Sequence, residues 1–187
     1  MVSLMSLWLP ILLSAVFVFI ASSLIHMVLG YHKNDYEQLP QQDQIMEAVR
    51  PFNIAPGDYV VPRAATMADM KTPEFMEKMK RGPVFSMTVH PPGQWAMGGR
   101  LAQWFVFSIV VSLFAGYIAS RTLPAGTEYL QVMRIVGTVA FAGYALGHIP
   151  ESVWYNKKWS TTFKNMFDGL IYGFVTGGTF GWLWPAM

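Results

Sequence analysis

Cysteine is absent from this 187-residue chain, which excludes disulfides, thiolate metal sites and cysteine nucleophiles together. Charge is scarce as well. Asp, Glu, Lys and Arg make up 13% of the residues, against roughly 25% in an average soluble domain. No charged residue precedes Lys33, and later stretches are equally bare. That distribution points to lipid as the solvent for much of the chain. Catalytic motifs and nucleotide fingerprints are missing too, so no catalytic residue and no cofactor is assigned. Thr176-Gly177-Gly178-Thr179 lacks the lysine of a phosphate-binding loop. The basic residues do not interleave with aromatics as a nucleic-acid groove requires, which excludes nucleic acid as a partner.

What is present is apolar, at 53% of the residues. A helix needs about 20 mostly apolar residues to cross the hydrocarbon core, and four segments qualify, at 4–30, 101–120, 129–148 and 167–184. The expected fold is all-α: a polytopic four-transmembrane-helix bundle, one membrane domain over residues 1–187, with a mostly irregular segment at 31–100. The first apolar run is long and has no basic residue ahead of it, so it reads as an uncleaved anchor rather than a signal peptide. Lys33, Arg50, Arg81, Arg100, Lys157, Lys158 and Lys164 lie on one side of the expected membrane, and only Arg121 and Arg134 on the other. This asymmetry predicts that residues 31–100 are cytoplasmic and that both termini are outside. Trp8, Trp182 and Trp184 then fall in the outer aromatic belt, with Trp104, Trp154 and Trp159 at the inner one.

Helix association in lipid depends on small residues that admit close backbone approach. Gly169, Gly173, Gly177 and Gly181 repeat every four residues, a glycine zipper along one face of the fourth segment. Ser108, Ser112, Gly116 and Ser120 form a similar stripe on the second, its expected packing partner, and Gly143 with Gly147 makes a shorter pair on the third.

The segment 31–100 holds eight of the twelve prolines and so has little capacity to bury a core unaided. A short helix is expected over 41–50. Thr72-Pro73-Glu74 reads as a helix start, with a threonine cap, proline in the first turn and an acid at the positive dipole end. Gly82 closes that helix, and 83–89 reads as extended chain. Met67, Met70, Met76 and Met79 read as an adaptable apolar face rather than a copper site.

His26 and His148 end the first and third segments, both of which run inward, and therefore share one depth. Glu151 and Asp168 belong to the same layer. Imidazoles and carboxylates together are the donor set of a metal site, and two histidines that of a haem. Set against this, Asp168 at the start of the fourth span reads as a helix cap that contacts backbone N–H groups or Lys164.

The stretches YHKNDYEQLP (31–40), PGDYVVPR (56–63) and DGLIYGFVTGGTFGWLWP (168–185) resemble those of uncharacterised small bacterial inner-membrane proteins. The resemblance covers most of the chain. It implies a multi-pass location in the cell inner (plasma) membrane and supplies no activity. Three classes of function stay open: a structural or accessory subunit of a membrane complex, contacting lipids and membrane protein partners; a haem- or metal-binding redox protein using His26 and His148; and a transporter or channel component.

Overall fold

The computed structural model describes residues 2–93 and 96–186. Its helices are α1 (Trp8–Leu24), α2 (Gln42–Val49), α3 (Pro73–Arg81), α4 (Met97–Thr122), α5 (Tyr129–Ala145), α6 (Ile149–Tyr155) and α7 (Trp159–Trp182), and its strands are β1 (Gly57–Val61) and β2 (Phe85–Val89). They divide between two compact units, residues 1–37 with 96–187, and residues 38–95.

Among the described residues, three helical stretches of the first unit are long and apolar enough to cross a membrane: Leu4–Leu29, Met97–Thr122 and Tyr129–Tyr155. The fourth expected span, 167–184, differs. Helix α7 starts at Trp159, eight residues early, and its first three turns carry Thr161, Thr162, Lys164, Asn165 and Asp168. It is long enough to cross, but its polar first half lowers its mean hydropathy. Residues 149–166, between the third and fourth expected spans, are therefore mostly helical: α6 covers Ile149–Tyr155, and only 156–158 separate it from α7.

The glycine stripe lies against α5, not against α4 as expected. A Cβ on Gly177 would sit 2.7 Å from the Met133 carbonyl oxygen, and one on Gly173 would sit 2.9 Å from that of Gly137. At Gly169 and Gly181 it would meet Ala145 and the Tyr129 ring. These are approaches of helix backbones, which a side chain on either strip would hold apart. Helix α5 suits this because Gly137 and Ala145 are themselves small. The stripe of α4 turns instead to α1, where Ser14 Oγ donates to Ser112 Oγ at 3.0 Å, and to Phe180, whose ring edge lies 3.0 Å from a Cβ built on Gly116. Gly143 abuts Val111 of α4. Trp104 is half-buried inside the bundle rather than in a surface belt, and its indole N–H donates to Ser22 Oγ at 2.9 Å. Trp8, Trp154, Trp159 and Trp182 are exposed.

The second unit pairs β1 with β2 antiparallel, with Gly57 opposite Val89 and Val61 opposite Phe85. Helix α3 begins as its sequence dictates: Thr72 Oγ1 accepts from the Phe75 N–H, Pro73 takes the first turn, and Gly82 ends the helix at φ 61°. None of the described residues of this unit is buried. Its boundary is also narrower than the expected 31–100, because residues 31–37 belong to the helical unit. The reason is a set of polar contacts described next.

Candidate metal centre

Helix α1 does not stop cleanly. Its last turn, Ile25–Leu29, widens into a π-helical turn that carries His26, and Gly30 ends it in the left-handed region at φ 62°. Glycine reaches that conformation without a Cβ clash. The chain reverses there, and the next residues fold back on the helix end. As a result the His32 ring stacks on that of His26, with centroids 4.6 Å apart and planes within 6°.

His26 is held at one ring nitrogen and His32 at both. His26 Nδ1 lies 3.0 Å from the Ser22 carbonyl oxygen. A carbonyl can only accept, so Nδ1 donates, and in the neutral ring Nε2 keeps its lone pair. His32 Nδ1 lies 2.6 Å from Asp35 Oδ2, and its Nε2 lies 2.8 Å from Asp168 Oδ2. Lys164 Nζ, one turn before Asp168 on α7, donates to Asp35 Oδ1 at 2.6 Å and to the Tyr31 carbonyl at 2.7 Å. The Tyr31 hydroxyl donates to Asp168 Oδ1. Asp168, with 4% of its side chain exposed, is thus a buried carboxylate whose two oxygens both have donors, the condition under which such a charge is tolerated. Burial alone pushes the Asp35 carboxyl up, but the hydrogen bonds from Lys164 and His32 prevail and hold it below the usual carboxylate range. Burial, and then the Asp168 carboxylate against its hydroxyl, push the Tyr31 phenol well above its ordinary value.

His26, His32 and Asp168 each offer one ligand atom, and the three atoms lie within 4.8 Å of one another. Two ligands of one zinc-like ion sit about 4 Å apart at most, twice a bond of about 2.0–2.1 Å. Closure onto an ion therefore asks for a movement of about 1 Å. Two imidazoles and one carboxylate leave coordination positions open, as in sites where a metal meets a further ligand. The carbonyl behind His26 and the carboxylate behind His32 are the partners that fix ring orientation in metal-ligating histidines.

The expected set was His26, His148, Glu151 and Asp168. All four line one cavity of about 400 Å³, but only His26 and Asp168 belong to the cluster with ligand atoms in reach of each other. His148 sits on a tight turn between α5 and α6, its Nδ1 3.9 Å from Glu151 Oε2 and without a hydrogen bond. Glu151 is taken by Lys157. The cap expected at Asp168 is not formed either. With α7 beginning at Trp159, Asp168 lies in its third turn, beyond the unpaired N–H groups of the helix start. Its partners are Tyr31 and His32, and Lys164 pairs with Asp35.

His32, Asp35 and Tyr31 were not singled out in the sequence, and Lys164 was named only as a basic flank and as a contact of Asp168. One local signal for them exists: Gly30 followed by Tyr-His-Lys-Asn-Asp, a helix stop with His32 and Asp35 three residues apart.

No protein-family model, curated protein or solved structure matches this chain.

Proposed function

We propose that this is a polytopic inner-membrane protein that binds one divalent transition-metal ion through His26, His32 and Asp168 at its cytoplasmic face. The observation that carries the reading is the convergence of three ligand atoms within 4.8 Å, with both imidazoles already oriented by a second partner. The donor set of two nitrogens and one oxygen suits zinc or ferrous iron and not the hard-oxygen cations. Ion binding would replace the proton that lies between His32 Nε2 and Asp168, since a ligating imidazole must offer its lone pair. The test is a Co²⁺ titration of the purified full chain in detergent, followed by visible absorption, with metal content measured by mass spectrometry. One ion per chain is expected, and its loss in His26→Ala. A metal-free preparation that takes up no Co²⁺ would overturn the reading.

The topology within this proposal has α7 as a fourth crossing. From Gly169 onward it is apolar, and its polar first half supplies Lys164 and Asp168 to the ion-binding layer. The basic residues Lys33, Arg100, Lys157, Lys158 and Lys164 favour that layer on the cytoplasmic side. Reporter fusions after residues 60, 125 and 187 are expected to report inside, outside and outside. Cytoplasmic signal at 125 or 187 would reverse the orientation.

A second reading, an accessory subunit of a membrane complex, is supported by the unit at 38–95. Met67, Met70, Met76 and Met79 are all exposed there, and flexible thioether side chains adapt to varied partner surfaces. Co-purification of a stable larger complex would favour it, and the two readings are compatible.

A further inference from the structure

Helix α5 carries a single charged residue, Arg134. It is the sixth residue of the helix and lies about 7.5 Å along it from Tyr129. The helix belongs to a stretch able to cross a membrane. Ionisable residues at such depth ordinarily face the bundle interior or pair with one another. Arg134 does neither. It is exposed, and among the described residues no acid pairs with it. A guanidinium left so in an apolar span takes its partner from outside the chain.

The surroundings of Arg134 restrict what that partner is. Arg134 lines a groove of about 420 Å³ between α5 and α7. Its floor is the close backbone approach of Gly137 and Gly173, and its sides are Met133, Phe141, Leu170 and Phe174. Leu130, at one end, and Phe174 are 58% and 56% exposed, so the groove opens to the outside of the bundle. From Leu130 to Phe141 it follows α5 for about 16 Å, at about 1.5 Å per residue. That is close to the depth of one leaflet, half of a hydrocarbon core of about 30 Å. Helical side chains lean toward the helix N-terminus, which for Arg134 is the end nearer the headgroups. The fitting occupant has an apolar chain one leaflet long and an anion at its head. A phospholipid has both, and a guanidinium takes a phosphate by two parallel hydrogen bonds. A headgroup of net negative charge is favoured over a zwitterionic one, whose own ammonium competes for the phosphate. A second groove, between α1 and α7, has Phe17, Leu24, Phe174 and Trp182 but no charged residue. It offers an acyl chain a similar lining and a headgroup no partner.

We infer that the α5–α7 groove binds one anionic phospholipid, its phosphate on Arg134 and an acyl chain lying along Gly137 and Gly173. The inference rests on the membrane reading above and is independent of the ion.

The experiment is native mass spectrometry of the full chain, delipidated in detergent and titrated with phosphatidylglycerol or phosphatidylcholine of identical acyl chains. Carbonate extraction of membranes that contain the chain runs alongside. The wild type is expected to hold one phosphatidylglycerol about tenfold more tightly than phosphatidylcholine, the weight of one hydrogen bond to a charged group. Arg134→Gln should abolish that preference and leave thermal unfolding unchanged. Arg134→Lys keeps the charge but not the planar fork, and should keep part of the preference. Thr138→Phe retains Arg134 and places a ring in the groove, since Thr138 lines it and is exposed. It should weaken phosphatidylglycerol binding without unfolding the chain, which separates the groove from a bare arginine–phosphate contact. Equal retention of the two lipids by the wild type, a preference that survives in Arg134→Gln, or undiminished binding in Thr138→Phe would each overturn the inference. A chain washed from membranes by carbonate would overturn the membrane reading itself, whereas an integral chain with no lipid preference would overturn this inference alone.

Discussion

His32→Ala should reduce metal affinity by two orders of magnitude or more and leave the helical bundle folded. The alanine removes one of three protein ligands, and losing even an outer partner of a ligating histidine costs about 10–100-fold. Asp35→Ala is that milder case: it frees His32 Nδ1 from its carboxylate and should fall within this 10–100-fold range. The order His32→Ala worse than Asp35→Ala is the discriminating result, because a site using other ligands would not rank them so. Asp168→Ala should also lose the ion, but it strips Tyr31 and His32 of their acceptor, and an unpaired buried group costs about 1–3 kcal/mol of stability. His32 is the cleaner probe, since it sits in the turn after Gly30 and not in a packed helix face. Co²⁺ absorption titrations and thermal unfolding, run on all three variants, separate the two effects. Wild-type affinity in His32→Ala would remove His32 from the site.

Gly177→Leu should destabilise the bundle more than any single loss of a hydroxyl. At Gly177 the first added carbon already lies 2.7 Å from the Met133 carbonyl oxygen and 3.1 Å from Gly137 Cα. Both are backbone atoms and cannot swing aside. Overpacking of this kind costs typically about 1–3 kcal/mol, and here α5 and α7 must separate along their contact. By comparison, Ser112→Ala forfeits the Ser14 hydrogen bond, and interhelical bonds of this type in a bilayer average about 0.6 kcal/mol. Close backbone approach therefore outweighs the hydroxyl contacts in holding these helices. Gly147→Ala is the control, with open space around its Cβ. Thermal unfolding in detergent should show a large drop for Gly177→Leu and little change for Gly147→Ala. Equal stability of the two would contradict the α5–α7 contact.

Local sequence signals located much of this architecture. The apolar runs, the Thr72-Pro73 helix start, the Gly82 stop and the extended chain near 85–89 each follow from a few neighbouring residues. What was not legible depended on which distant parts meet. The glycine repeat on α7 was matched to the other visible stripe, on α4, whereas its partner surface on α5 has Gly137, Phe141 and Ala145, small only in places and irregular in spacing. Asp168 was identified as an interfacial acid, but it was read as a cap because the fourth span was expected to start at 167, whereas α7 begins at Trp159. His26 and Asp168 were both named for one site. Their shared neighbour His32 was passed over because it lies beyond Gly30, in what composition alone assigns to the polar segment. A helix stop marks where a helix ends and leaves open whether the chain continues outward or folds back.

The His32–Asp168 contact spans 136 positions of the chain. During synthesis both histidines emerge early, and the carboxylate that completes their cluster lies near the C-terminus. Until α7 has been made and has docked on α5, the two imidazoles hold no third ligand. Under the proposed function, a chain without α7 would not retain an ion at this cluster, and the ion would not direct insertion of the earlier helices. Metal occupancy would then report that α7 has docked.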